Sequence, residues 1–332
     1  MKIVREHTGA GRMTLHDFEP TPDRICEDVA RGLARSEKRL PSKYLYDDRG
    51  ARLFERIMEL DVYYPTRTEI GILKRSAAQI AERLGPAATL VEFGSGSGEK
   101  TWIVLEHLVS PRAYVPVDIS RAQLVEFARR VAEAFPALDV EPVCADYTRD
   151  FVLPSANGTS DRCVAFFPGS TIGNFEPDDA RTFLSRTRRL LGSRGRFLLG
   201  LDLRKDPGVI EAAYNDPQGV TRQFNLNLLA RINRECGTDF DLAAFRHHAW
   251  FDADHGRVEM RLVSELAQAV HVPPLNEGDP LEISFERGDF ITTEYSYKYD
   301  LDDFAGLAGE AGWRLDEVWT DERRWFAVVL LH

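Results

Sequence analysis

The chain has 332 residues, 43% of them hydrophobic and 29% charged, with a formal net charge of −11, proportions that suit a globular protein of two domains. That acidic balance offers no positive field for a nucleic-acid backbone. No run approaches the ~18 apolar residues of a membrane span, and the start (Met1-Lys-Ile-Val-Arg-Glu-His7) has no secretory apolar stretch.

Cys26, Cys144, Cys163 and Cys236 are scattered too widely for a disulfide framework or a zinc site, which points to a reducing, cytoplasmic setting. Residues 1–20 show weak periodicity and are expected to form an irregular arm. A helix should then open with Thr21 as N-cap and Pro22 at its first position, with Ile25, Val29 and Leu33 as its apolar stripe. The loop Leu40-Pro-Ser-Lys-Tyr-Leu-Tyr-Asp-Asp-Arg-Gly50 sets tyrosines beside paired aspartates, either as binding groups or as rings packed on a surface. Leu53, Phe54, Ile57 and Leu60 mark a short helix. Thr66-x-x-Glu69 has the pattern of a capping box for a further helix, which Gly85-Pro86 ends.

From Thr89 the chain alternates strand and helix, the signature of a doubly wound parallel sheet. Strands are expected at 89–93, 113–117, 139–144, 163–167 and 196–203. The first ends in Glu92-Phe-Gly-Ser-Gly-Ser-Gly98, a glycine turn opening a helix, where backbone N–H groups can approach a polar ligand. A dinucleotide fingerprint would need glycine or alanine at position 99, which is Glu99. The spacing instead resembles the S-adenosylmethionine (SAM) loop of class I methyltransferases. Asp118, 20 residues past Gly98, can accept from a ribose diol, cap the following helix, or both. Ligands of such sheets bind outside the carboxyl ends of the strands, where the glycine loop, Asp118, Asp146-Tyr147 and Gly169 to Asn174 should meet.

After Lys205 the alternation stops. A long helical stretch is expected over 208–234, then a hairpin of 247–252 and 257–266 in which Met260 is most simply a core residue. In Phe290-Ile-Thr-Thr-Glu-Tyr-Ser-Tyr-Lys-Tyr-Asp300, period two puts Thr292, Glu294, Ser296 and Lys298 on one face. A solvated outer face is the default for such a strand. The alternative is a polar pocket in which Glu294 and Ser296 bind a small cation or heterocycle. A closing helix and strand pair suits the reversed last strand of a class I methyltransferase sheet.

Several stretches together resemble one family, the L-histidine Nα-methyltransferases of ergothioneine biosynthesis (EgtD-like). They are Leu40-Pro-Ser-Lys-Tyr-Leu-Tyr-Asp47, Tyr63-Tyr-Pro-Thr-Arg-Thr-Glu69, Glu92 to Thr101, Gly169-Ser-Thr-Ile-Gly-Asn174, Tyr214 to Asn227, Arg257-Val-Glu-Met260 and Thr293-Glu-Tyr-Ser296. The resemblance implies an α/β fold: a class I SAM-methyltransferase (Rossmann-like) sheet carrying an inserted α+β substrate-binding domain. The cofactor domain would be 68–204 plus 298–332, and the substrate domain 1–67 plus 205–297. It implies SAM as cofactor, S-adenosylhomocysteine as product and no metal. The substrates would be L-histidine and its mono- and dimethylated forms, handled by a cytoplasmic monomer without nucleic acid or membrane.

Carried over from the family, Asn174 and Tyr214 would hold the substrate carboxylate, and Glu294 and Ser296 the imidazole, with Tyr63 on the same side. Gly169, Asn174 and Tyr46 would surround the amine, with Phe54, Thr221 and Met260 near the substrate; Tyr46 and Asn174 are the catalytic candidates. Gly94, Ser95, Gly96, Lys100, Asp118, Asp146 and Tyr147 would contact SAM. The chain departs from the family pattern at Gly98 and Phe175. The pairing of Met260 with Glu294 suits a histidine-selective site. The alternatives are a class I N-methyltransferase for a different amino acid or small amine, and a binding protein that has lost turnover.

Overall fold

The structure, a computed structural model, describes residues 2–8, 11–19, 24–94, 96, 98–154, 162–274 and 279–332. In chain order its elements begin with strands β1 (Lys2–Thr8) and β2 (Gly11–Asp17) and helices α1 (Ile25–Leu33), α2 (Asp48–Met58) and α3 (Tyr64–Leu84). Next come β3 (Thr89–Phe93), α4 (Glu99–His107), β4 (Ala113–Asp118), α5 (Arg121–Ala134), β5 (Asp139–Val140), β6 (Val143–Cys144), β7 (Cys163–Phe167), α6 (Pro177–Leu191) and β8 (Arg196–Asp202). The later part adds α7 (Pro207–Tyr214), α8 (Val220–Cys236), β9 (Phe245–Asp252), β10 (Arg257–Ser264), β11 (Gln268–Val272), β12 (Leu281–Phe285) and β13 (Phe290–Tyr297). It closes with α9 (Leu301–Glu310), β14 (Leu315–Thr320) and β15 (Phe326–Leu331).

The large sheet runs β1-β2-β5-β4-β3-β7-β8-β15-β14, with β6 between β2 and β4. β3 pairs in parallel with β4 on one side and β7 on the other, and β15 lies antiparallel to β8. The stretch from β5 to β14, with β15 reversed among parallel neighbours, is the class I methyltransferase arrangement expected from the sequence. The chain leaves β3 in opposite directions across the sheet, so a crevice opens at its carboxyl end, where the glycine loop sits.

Alternate residues of the strands feed two apolar layers. Leu90, Tyr114, Phe166 and Leu198 pack with α3, α4 and α5 on one face. Val91, Val115, Phe167 and Phe197 pack with α6 and α9 on the other. A third apolar cluster joins residues of α1, α2, α7 and α8 to β9, β10 and β13, so it draws on the early chain and on the stretch after Lys205. Among the described residues no helix is long and apolar enough to cross a membrane.

Several expectations are corrected. The N-terminal arm is not irregular: β1 and β2 form an antiparallel hairpin, and β2 adds in parallel to β5 and β6 at the sheet edge. Thr21 and Pro22 lie outside the described residues, and the helix they were to open runs Ile25–Leu33. Thr66 caps nothing, because α3 already starts at Tyr64 with Pro65 in its first turn. The stretch 208–234 is two helices, broken where the Asp216 carboxylate takes the N–H groups of Val220 and Thr221. Cys26 and Cys236, read as unpaired, form a disulfide between α1 and the end of α8, with Cα atoms 5.3 Å apart. The even face of β13 is not solvated, since Thr292, Glu294, Ser296 and Lys298 are all buried.

Candidate functional site

The glycine turn is built for close approach. Gly94, Gly96 and Gly98 have φ of +73°, +48° and +80°, a region that side-chain-bearing residues avoid. A Cβ at Gly98 would lie 2.1 Å from the Phe127 ring, whereas one at Gly96 would meet nothing within 4 Å. The turn is therefore tight against the protein at Gly98 and open at Gly96, where a ligand's polar chain can run along the backbone. Ser95 lies outside the described residues. Behind the loop, the buried Glu92 accepts from Thr101 Oγ1 at 2.8 Å and from the Tyr114 hydroxyl, and burial pushes its carboxyl up to about 8. Glu92 thus ties β3, α4 and β4 together beneath the turn.

Asp118 ends β4 and accepts the Ser120 N–H through Oδ1 at 2.8 Å, but the N-cap of α5 is Ser120, so Asp118 does not cap the helix; burial raises its pKa. Tyr147 comes within about 4.0 Å of where a Gly94 Cβ would stand, and its ring packs among Phe93, Phe167 and Phe183. Asp146 reaches the same edge but turns its carboxylate to Thr148 and Arg149. Lys100 Nζ sits 2.5 Å from Glu69 Oε2, and the Glu69 carboxylate also accepts the Gly169 N–H at 2.8 and 3.0 Å. This buried carboxylate on α3 joins the first turn of α4 to the loop after β7.

That loop turns through Gly169, at φ +83°, and Ser170, at φ +56°, into a 3-10 turn, Thr171–Asn174. A Cβ at Gly173 would lie 2.7 Å from the Tyr297 carbonyl, so only glycine lets Asn174 come this close to β13. Two residues on, Glu176 receives Arg39 and the Tyr297 hydroxyl, the latter at 2.8 Å. Burial alone would raise the Glu176 carboxyl, but those two partners hold it below its usual range.

Facing this edge is a set of rings. Tyr46 packs on Phe54 and Phe224 with centroids 5.4 and 5.3 Å apart, and Tyr63 on Phe54 and Tyr214 at 6.2 Å each. Tyr46 is 39% exposed, yet Glu294, Tyr63, Tyr214 and Tyr147 all act on its hydroxyl. Burial first, then Glu294, drive its pKa well above the ordinary tyrosine value.

Met260 and Glu294 are direct cross-strand partners on β10 and β13, and both are buried. Glu294 Oε2 has no hydrogen-bond partner among the described residues. Burial lifts the Glu294 carboxyl to about 7, against the pull of Lys298. Tyr214 donates to Ser296 Oγ at 2.9 Å. Thr221, in the first turn of α8, is buried one turn before Phe224.

The structure thus gathers Tyr46, Tyr63, Tyr214, Glu294 and Ser296 on one side, and Gly94, Tyr147, Lys100 and Gly169 on the other. Glu69, Glu92, Asp202 and Lys298 were missed as site residues. The available signal for Lys298 was its place on the same strand face as Glu294 and Ser296.

A family model described as "Histidine-specific methyltransferase, SAM-dependent" matches residues 25–332. The chain is 39% identical over 310 residues to a histidine N-alpha-methyltransferase of Mycolicibacterium smegmatis, covering 92% of this chain and 94% of that protein. It is 37% identical over 309 residues to the protein of the same name from Mycobacterium tuberculosis, with the same coverage of both chains. Ergothioneine biosynthesis protein 1 of Neurospora crassa is 31% identical over 295 residues, which is 85% of this chain but 32% of that protein.

Proposed function

The chain belongs to the histidine-specific, SAM-dependent methyltransferases, and from that premise we propose how its residues divide the work. The reaction is methylation of the α-amine of L-histidine, completed three times to give trimethylhistidine (hercynine), the first step of ergothioneine biosynthesis. SAM supplies an activated methyl on a sulfonium, so the chain's task is mainly to place a neutral amine in line with it. The open backbone at Gly94 and Gly96, with Asp118 and Tyr147 at the neighbouring strand ends, fits that cofactor.

The observation that carries the substrate assignment is Glu294. A buried carboxylate with one oxygen unpartnered and a pKa near 7 costs free energy until an N–H donor meets it. An imidazole N–H does so, with Ser296 beside it and Tyr63 on the same side. Met260 and Thr221 complete the substrate's surroundings. Asn174 and Tyr214 hold the carboxylate, and Gly169, Asn174 and Tyr46 surround the amine, with the Phe54 ring behind. Because Tyr46 stays neutral, it orients the amine rather than taking its proton. Lys100 is fixed by Glu69 and acts at the cofactor side.

We assign the cofactor domain to 68–204 plus 298–332 and the substrate domain to 1–67 plus 205–297, the hairpin of β1 and β2 being lent to the cofactor sheet. The chain is proposed to act as a monomer. Calorimetry on Glu294→Ala tests the assignment: histidine binding should weaken far more than SAM binding, and an equal loss of both counts against it.

A further inference from the structure

Behind Tyr214 and Ser296 lies a buried charged cluster with no assigned role. Lys298, its side chain 1% exposed, donates to the Tyr214 hydroxyl at 2.8 Å and to Ser296 Oγ at 2.8 Å, and stands 2.8 Å from Asp202 Oδ2. An ammonium has three N–H bonds and no lone pair, so these three partners use it completely. Asp202, at the carboxyl end of β8, also receives Lys205 Nζ at 2.5 Å and the Tyr64 hydroxyl at 2.9 Å. Asp202 thus faces two ammonium groups, those of Lys205 and Lys298.

Proton counting fixes what this does to the pocket. Each of the two hydroxyl oxygens spends a lone pair on Lys298, which cannot accept in return. Tyr214 and Ser296 share one O–H bond between them, at 2.9 Å. One hydroxyl proton is therefore left over: it is the Ser296 proton when Tyr214 donates to Ser296, and the Tyr214 proton when the Ser296 hydroxyl turns to donate to Tyr214, as a carboxylate facing Tyr214 would favour. A hydroxyl donor polarised by the ammonium behind it, in a low-dielectric site, favours an anionic acceptor over a neutral one.

We propose that Lys298 is a positioning residue that makes the site select substrates bearing an α-carboxylate, acting through Tyr214 and Ser296. The proposal rests on the reading above that Tyr214 meets the substrate carboxylate. It explains why a lysine is buried on a strand face beside Glu294, and why Asp202 is placed to hold it.

The test compares L-histidine with L-histidinol, which keeps the imidazole and amine but lacks the carboxylate. Binding is measured by calorimetry with S-adenosylhomocysteine present, and kcat and KM with SAM. In Lys298→Met, histidine should bind about ten- to a hundred-fold more weakly, the scale of a hydrogen bond to a charged group. Histidinol should change by less than about threefold on the same scale, and the loss for histidine should fall mainly on KM. Asp202→Asn/Lys298→Met, which strands no buried carboxylate, should show the same split and carries the test if the single variant is unstable. Equal losses for both compounds, or discrimination retained at the level of the unaltered enzyme, overturn the role of Lys298. An unaltered enzyme that does not distinguish the two compounds overturns the carboxylate assignment of Tyr214 as well.

Discussion

Glu69 on α3 accepts the backbone N–H of Gly169 across 100 positions of sequence, at 2.8 and 3.0 Å, and the same carboxylate holds Lys100. One buried acid thus sets the distance between the helix after the glycine loop and the loop that carries Asn174. A Cβ at Gly200 would reach 2.1 Å from Glu69 Oε1, so the neighbouring strand is shaped around it. Glu69→Ala should cost roughly 3–5 kcal/mol of stability, because it strands Lys100 and a backbone donor. It should also weaken SAM binding. Urea unfolding and calorimetry check this; an unchanged denaturation midpoint would remove Glu69 from the frame of the site.

Glu294 gives a pH dependence with a definite sign. Its folded-state pKa is raised from the ordinary carboxylate value to about 7 by burial. Ionising it therefore costs stability progressively as pH rises from about 4.5 to about 7, and the penalty is then constant. Glu294→Gln should stabilise the ligand-free protein at pH 8, by on the order of 1–3 kcal/mol. At pH 4 it should make little difference, while histidine binding weakens at neutral pH. Thermal unfolding of both proteins at the two pH values decides it. A variant less stable at pH 8 would contradict the buried, unpartnered carboxylate.

Tyr46 packs edge-on against Phe54 and Phe224, and its raised pKa keeps it protonated at neutral pH. Tyr46→Phe keeps the rings and loses only an orienting hydroxyl. Its kcat should fall by about tenfold or less, with the pH–rate profile unchanged in shape. A loss of ~10²–10⁴, the usual share of a general base, would return proton abstraction to Tyr46.

The Cys26–Cys236 disulfide does not include Cys144 or Cys163. Thiol titration of the denatured, unreduced protein should find two thiols of four, and reduction should lower stability by ~2–4 kcal/mol. Four thiols would return the chain to the reducing setting expected from its cysteine spacing.

What the sequence made legible were features carried by local pattern. Thr89 to Phe93, the glycines after it and Asp118 read as strand, turn and strand end because each signal lies within a few residues. The family resemblance then named Glu294 and Tyr214. The rest depends on contacts over long separations. Glu69 shows a capping-box spacing with Thr66, and only the fold reveals that its carboxylate faces Gly169. Lys298 continues a polar strand face that looks solvated until α7 and β8 close over it. Cys26 and Cys236 are 210 residues apart, and nothing local says that α1 and α8 meet. The β1–β2 hairpin finds its place only because the sheet edge at β5 and β6 is there to receive it.

The most direct measurement is to incubate the purified protein with SAM and L-histidine and follow both by mass spectrometry. The account predicts transfer of three methyl groups in succession to the α-amine of histidine, with three equivalents of S-adenosylhomocysteine formed and the imidazole unmodified. Absence of transfer, or methyl groups on the imidazole ring, would contradict it.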